Sequence, residues 1–262
     1  MSLSKNGEKV NEEYVRFIHR LADESAKVIK PYFAALDFEV EIKEDETPVT
    51  LADRQAEALM RDLIRREFPN HGIIGEEYGI ENEGAEFVWI LDPIDGTISF
   101  ASGCPLFGTL ICLIHEDRPI LGAINQPILD ILCLGDNHRT SVNGSRVQMR
   151  RVAELAEATL LTTDVLSISE YQDESGFERL SQKVKYLRTW GDCYGYLLLA
   201  CGGADIMLDP IMNPWDVLPV IPIIQGAGGV ITTWAGGDPV QGTSCVAANR
   251  ELHPIVMEFL NR

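Results

Sequence analysis

The segment Trp89-Ile90-Leu91-Asp92-Pro93-Ile94-Asp95-Gly96-Thr97 is the part of the chain best equipped for chemistry. An apolar run leads straight into a carboxylate, a rigid proline, a second carboxylate, then glycine and threonine. Two carboxylates three residues apart at a strand end can converge on one point, and the Ile94 carbonyl between them offers another oxygen. Hard cations such as Mg²⁺ favour such oxygen clusters. Gly96 and Thr97 leave backbone N–H groups free at an expected helix start, which suits a phosphate. Further acids stand at similar places: Glu76 in Gly75-Glu76-Glu77, Asp53 near one helix start, and Asp216 after Trp215 at another. Each acid also has an ordinary alternative. Asp92 and Asp95 would suit a polar turn, and Glu76 a solvated loop. Asp53 fits a Thr50-x-x-Asp53 capping box, and Asp216 complements a helix dipole. Together they give four or five acids at element ends. No histidine accompanies them; His19, His71, His115, His138 and His253 are scattered and read as surface or core residues.

The charge balance points the same way. Lysine and arginine number 22 against 40 aspartates and glutamates in 262 residues, a formal charge of −18. Such a chain is poorly suited to nucleic acid or anionic lipid, both of which call for cations. It can still handle a phosphorylated substrate if divalent cations invert the local charge. No apolar run reaches the length of a spanning helix, and the first residues lack a signal-peptide core. The expectation is a cytoplasmic protein with no membrane partner. None of the six cysteines forms a C-x-x-C pair, so buried free thiols are expected rather than a zinc site or disulfides. The P-loop, G-x-S-x-G and H-E-x-x-H patterns are absent, and Gly226-Ala227-Gly228-Gly229 fits a helix end leading into a strand.

These residues need elements to hold them. An amphipathic helix is expected over 11–30, with Asn11 as cap and Val15, Ile18, Leu21, Ala22, Ala26 and Ile29 on one face. A second runs from about Leu51 to Phe68, capped by Thr50, with Leu59, Leu63 and Ile64 facing the core. Short apolar runs at Ile73-Ile74 and Phe87–Leu91 read as buried strands. Leu106–His115, Ile120–Asn125 and Ile131–Leu134 suit an antiparallel meander. Val142-Asn143-Gly144-Ser145 signals a tight turn. The later chain alternates: strands at Leu160–Thr163, Ala204–Leu208, Val230–Trp234 and Ser244–Ala248, and helices at Phe177–Val184, Tyr194–Cys201, from Asn213-Pro214, and Leu252–Leu260. An α+β part over 1–145 and an α/β part over 146–262, packed in layers, are expected.

Gly75-Glu76-Glu77, the D-P-I-D-G-T block and the distant Trp215-Asp216 together resemble the inositol monophosphatase superfamily, and the match runs in order along nearly the whole chain. Leu91 and Ser99 are mild departures from its usual W-I-I-D-P-I-D-G-T-x-N-F. The resemblance implies a layered αβαβα sandwich of the inositol monophosphatase and fructose-bisphosphatase type, usually a homodimer. It implies Mg²⁺-dependent hydrolysis of small phosphate monoesters, often inhibited by Li⁺, with two or three ions per site. Carried onto this chain, it implies that Glu76, Asp92, Asp95, the Ile94 carbonyl and Asp216 hold metals, with Asp53 binding a further or weaker one. Thr97 and Glu76 would orient and deprotonate the attacking water, and the Gly96 and Thr97 N–H groups would hold the phosphate. Most metal ligands then fall in the first part of the chain, and Asp216 and substrate recognition in the second.

The second part resembles the histidinol-phosphate phosphatase branch. The segments are Arg188-Thr189-Trp190-Gly191-Asp192-Cys193-Tyr194-Gly195-Tyr196 and the helix from Trp215-Asp216 through Ile221-Pro222-Ile223-Ile224 to Gly229. L-Histidinol phosphate carries an ammonium group and an imidazole, and Asp192 and Asp209 could pair with that cation. Asp192 could instead cap a helix, and Arg188 could contact substrate or merely pair with an acid. Asp95 and Asp216 would also line the substrate site. The alternatives are an inositol-1-monophosphatase or broad sugar phosphatase, or a non-enzymatic partner of the transcription apparatus. The last would predict an eroded metal site, and here every position is filled.

Overall fold

The computed structural model describes residues 12–34, 40–42 and 48–262, with side chains over 12–33 and 51–262. The proposed caps Asn11 and Thr50 lie outside the described side chains. Helix α1 spans Glu12–Ala34, four residues beyond the expected end and through Pro31. It buries Phe17, Ile18, Leu21, Ala22 and Ile29. Helix α2 spans Leu51–Glu67. A short antiparallel pair, β1 (Val40–Ile42) and β2 (Pro48–Thr50), precedes it and was not expected from the sequence.

Strands β3 (Gly72–Gly75), β4 (Gly79–Glu81), β5 (Phe87–Asp95), β6 (Gly108–His115), β7 (Arg118–Gln126), β8 (Ile131–Gly135), β9 (Thr140–Val142) and β10 (Ser145–Val147) form one sheet. From β5 to β10 it is the expected meander, while β3 runs parallel to β5. Asn143 and Gly144 both take positive φ in the β9–β10 turn, as a two-residue hairpin loop requires. Alternation along β5 and β6 sends Trp89, Leu91, Ile111 and Leu113 against α1 and α2. Ile90, Leu110 and Cys112 point to the opposite face. Both faces are covered, so these strands read as continuous apolar runs.

The second sheet contains β11 (Thr159–Thr162), β12 (Tyr186–Arg188), β13 (Ile206–Asp209), β14 (Val230–Thr232) and β15 (Cys245–Ala248), in the order β12-β11-β13-β15-β14. Helices α6 (Asp192–Ala200) and α7 (Pro214–Gly226) lie between the sheets, where Leu197, Val220 and Ile224 join one core with Leu110, Ile124, Leu161 and Met207. Helices α5 (Glu174–Ser181) and α8 (Leu252–Leu260) cover the outer face through Phe177, Leu180, Val256 and Leu260. The five layers are α1/α2, sheet, α6/α7, sheet, α5/α8: the αβαβα sandwich.

Three expectations need correction. Helix α5 starts three residues before Phe177, because Asp173 caps it by accepting from the Ser175 N–H at 3.0 Å, and it ends at Ser181 rather than Val184. Strand β12 and the short helix α4 (Ile168–Tyr171) are too brief to show hydrophobic periodicity, whereas the helix start expected at Gly96-Thr97 is present as α3 (Thr97–Ala101). Cys112, Cys133, Cys193 and Cys245 are buried thiols as expected, but Cys201 is exposed and Cys104 half-buried. Among the described residues no helix is long and apolar enough to cross a membrane.

Candidate metal centre and active site

Asp92 and Asp95 belong to β5 itself rather than to a turn after it. In a regular strand, residues three apart face opposite sides. Here Asp92 pairs with Leu110 and Asp95 with Gly108, and the register shifts between them. This bulge accommodates Pro93, which has no N–H to give the ladder, and turns both carboxylates toward one point. The kink is pinned from inside. The Ile94 N–H donates to Asp92 Oδ1 at 3.0 Å, and the Thr109 hydroxyl donates to the Pro93 carbonyl at 2.8 Å. The Thr97 hydroxyl donates to the Ile94 carbonyl at 3.2 Å, which ties the start of α3 back to the kink.

Two more elements bring their acids here. The Glu76 N–H donates to the Leu91 carbonyl at 3.2 Å, which sets Glu76 beside Asp92 as β3 runs along β5. Asp216 lies in the first turn of α7 and accepts from the Asn213 N–H at 2.7 Å, completing a capping box. Its cap role and its place in the site therefore coexist. Carboxylate oxygens of Asp92, Asp95 and Asp216 lie within 4.8 Å of one another, as do those of Asp53, Glu76 and Glu77. Glu77 was not expected as a site residue; its signal was only its place in the Gly-Glu-Glu triplet.

The electrostatics favour a bound cation. Burial, then Glu76, Asp95, Asp216 and Asp53, push the Asp92 carboxyl well above the usual range. Burial, Asp192 and Asp216 do the same to Asp95. Asp216 is raised to about 7 by burial, with Glu76, Asp209 and Asp192 adding to it. The charged groups acting on these three are all acids, and every donor is oxygen. That set fits a hard divalent cation and fits neither zinc thiolate chemistry nor an arginine clamp.

The second wall of the site comes from α6. Its cap is Gly191, and Asp192 begins the helix with φ of 49° and caps nothing. The capping alternative for Asp192 is therefore not realised. Its N–H donates to Thr163 Oγ1 at 2.9 Å, and its carboxylate comes close to Gly96: a Cβ there would lie 3.0 Å from Asp192 Oδ2. Burial, then Asp209, raises its carboxyl to about 7. Asp209 sits deeper, accepting from the Tyr196 hydroxyl at 2.7 Å and the Thr163 N–H at 3.3 Å. Burial raises its pKa as well. Thr163 thus contacts both acids and Tyr196 holds Asp209, roles the sequence did not show. Arg188 is not brought to the carboxylates. Its guanidinium lies over the Tyr186 and Trp190 rings and donates to the Leu187 carbonyl.

Comparison with known proteins gives the family. Residues 10–261 match the family described as the inositol monophosphatase family. The chain belongs to that family. This phosphatase is 45% identical over 219 residues to the bifunctional phosphatase IMPL2, chloroplastic, of Arabidopsis thaliana. The match covers 82% of this chain and 63% of that protein's length. It is 38% identical to a histidinol-phosphatase of Chlorobaculum parvum, over 88% of this chain and 90% of the relative. An inositol monophosphatase structure from Zymomonas mobilis superposes with a TM-score of 0.86 at 35% identity, covering 97% of this chain and all of the other. The protein is accordingly a metal-dependent phosphomonoesterase.

Proposed function

We propose that this phosphatase hydrolyses L-histidinol phosphate to L-histidinol and phosphate, with two or three Mg²⁺ per site. The observation that carries the reading is Asp192, a largely buried carboxylate beside Gly96 that has no capping duty. A carboxyl poised near 7 gains its charge when an ammonium or imidazolium docks against it. The likeness to the Chlorobaculum parvum histidinol-phosphatase supports the same substrate.

Asp92, Asp95, Asp216, Glu76, the Ile94 carbonyl and Asp53 would hold the metals. Bound there, divalent cations supply Lewis acidity for the attacking water and the departing alkoxide. Glu76 and the Thr97 hydroxyl would orient that water and take its proton. The Gly96 and Thr97 N–H groups would hold the phosphoryl oxygens, a positioning role suited to phosphoryl transfer. Asp192 would fix the substrate's cationic end, with Asp209 adding negative potential behind it. The homodimer is inferred from family membership alone.

The likeness to the Zymomonas mobilis inositol monophosphatase favours the second reading, an inositol or broad sugar phosphatase. Phosphate release with Mg²⁺, with and without chelator, decides between them when L-histidinol phosphate and inositol 1-phosphate are compared. A large preference for the first supports the proposal. A preference for the second moves the substrate to the alternative, and indifference to chelator refutes the metal assignment.

A further inference from the structure

We propose that Glu57, held by Arg61, is a positioning residue that fixes Glu76 against the metal centre. The inference rests on reading Glu76 as a metal ligand. Asp53, Glu57 and Arg61 are spaced by four along α2 and share one face. Asp53 reaches the cluster with Glu76 and Glu77. One turn further on, the Glu57 carboxylate is 0% exposed. It accepts the Glu77 N–H at 2.8 Å and the Tyr78 N–H at 3.2 Å. Arg61, 3% exposed, donates its Nε to Glu57 Oε1 at 2.8 Å and its Nη2 to the Gly79 carbonyl. One carboxylate and one guanidinium thus clamp the three residues that follow Glu76. The preceding side is fixed by β3 and by the Glu76 N–H to Leu91.

Gly75 gives the clamp its approach. A Cβ there would lie 2.1 Å from Glu57 Oε1, so only glycine lets the carboxylate come in. Glu57 itself is not among the carboxylates that converge on either metal position. A buried ion pair pays heavily in desolvation and is a weak stabiliser, so its contribution here is geometry. Outer partners of ligating carboxylates commonly alter metal affinity or activity about 10- to 100-fold.

The test is a Mn²⁺ titration of the metal-free full chain by calorimetry and electron paramagnetic resonance. It compares wild type, Glu76→Gln, Glu57→Gln and Arg61→Lys, with thermal melts alongside. Glu57→Gln is expected to weaken Mn²⁺ binding by about tenfold or more. Excess metal should restore kcat in Glu57→Gln but not in Glu76→Gln, where the proposed base is itself lost. A Mn²⁺ affinity within about twofold of wild type in Glu57→Gln, with Glu76→Gln weakened, overturns the positioning role. Unchanged binding in Glu76→Gln overturns the ligand reading instead, and the brace with it. If Glu57→Gln shows no cooperative melt, Arg61→Lys is judged by the same affinity criterion.

Discussion

The backbone N–H of Cys193 donates to Oδ2 of Asp95. This bond ties the first turn of α6, in the layer between the sheets, to the bulged end of β5. Its donor directly follows Asp192, the residue proposed to read the substrate. One Asp95 oxygen is occupied by this bond, which leaves the other for a cation. The proposed metal-holding and substrate-reading residues are therefore linked through this hydrogen bond, and a shift in one is expected to move the other.

Asp95→Asn keeps the shape and an acceptor for the Cys193 N–H while removing one buried charge. Phosphate release should fall by at least about 100-fold, the scale seen when a preorganised electrostatic partner is lost. The metal-free protein should melt at the same temperature or higher, because Asp95 is buried among acids. Near-normal hydrolysis would refute its place in the metal set.

Asp192→Ala separates recognition from chemistry. A hydrogen bond to a charged partner contributes about 1.5–3 kcal/mol, or roughly 10- to 100-fold in kcat/KM. That loss is expected on L-histidinol phosphate. An uncharged sugar phosphate offers Asp192 no cation and should lose much less. Equal losses on both substrates would remove the recognition role.

The raised carboxyls set a pH dependence with a definite sign. Asp192 and Asp216 stand near 7 when folded, and Asp92, Asp95 and Asp209 are also raised, against an ordinary value of 3.8. Between pH 4 and about 7 the folded chain therefore holds more protons at these groups than the unfolded chain. Their contribution is fully present below the unfolded value and is lost as pH rises through the folded one. A divalent cation binds the deprotonated forms and opposes that loss. The gap in melting temperature with and without Mg²⁺ should widen steadily from about pH 5 to about pH 8. A gap that is flat or narrows over that range contradicts the buried-acid account of the metal centre.

The convergence of Asp92 and Asp95 was legible because they stand close in sequence, and because strong apolar runs flank them. Helix α8 fell within its expected bounds, since its start, apolar face and end are all local signals. The bulge was not legible: sequence shows two acids three apart but not the register shift that puts them on one side. Nor was the positive φ of Asp192, which tertiary contact with Thr163 imposes on a residue that could equally have been a cap. Glu57 and Arg61 were hidden for a different reason. A polar i, i+4 pair on a helix reads as a solvated face until β3 and β4 are laid across it.

Gly96 and Gly144 allow backbone strain to be separated from site geometry. Both take positive φ, 88° and 79°. An alanine in that region costs about 1–2 kcal/mol at either position. A chain of this size should then lose roughly 2–8 °C in melting temperature. Their surroundings differ. A Cβ on Gly144 meets nothing within 4 Å, whereas one on Gly96 lies 3.0 Å from Asp192 Oδ2 and 3.3 Å from the Leu106 carbonyl oxygen. Gly144→Ala should therefore lose stability and keep its turnover. Gly96→Ala should lose similar stability and at least about tenfold in kcat, because relief of the contact moves the phosphate-facing N–H or the Asp192 carboxylate. Measuring kcat at a temperature well below both melts compares the two directly. Equal turnover in the two variants would show that Gly96 serves only the turn.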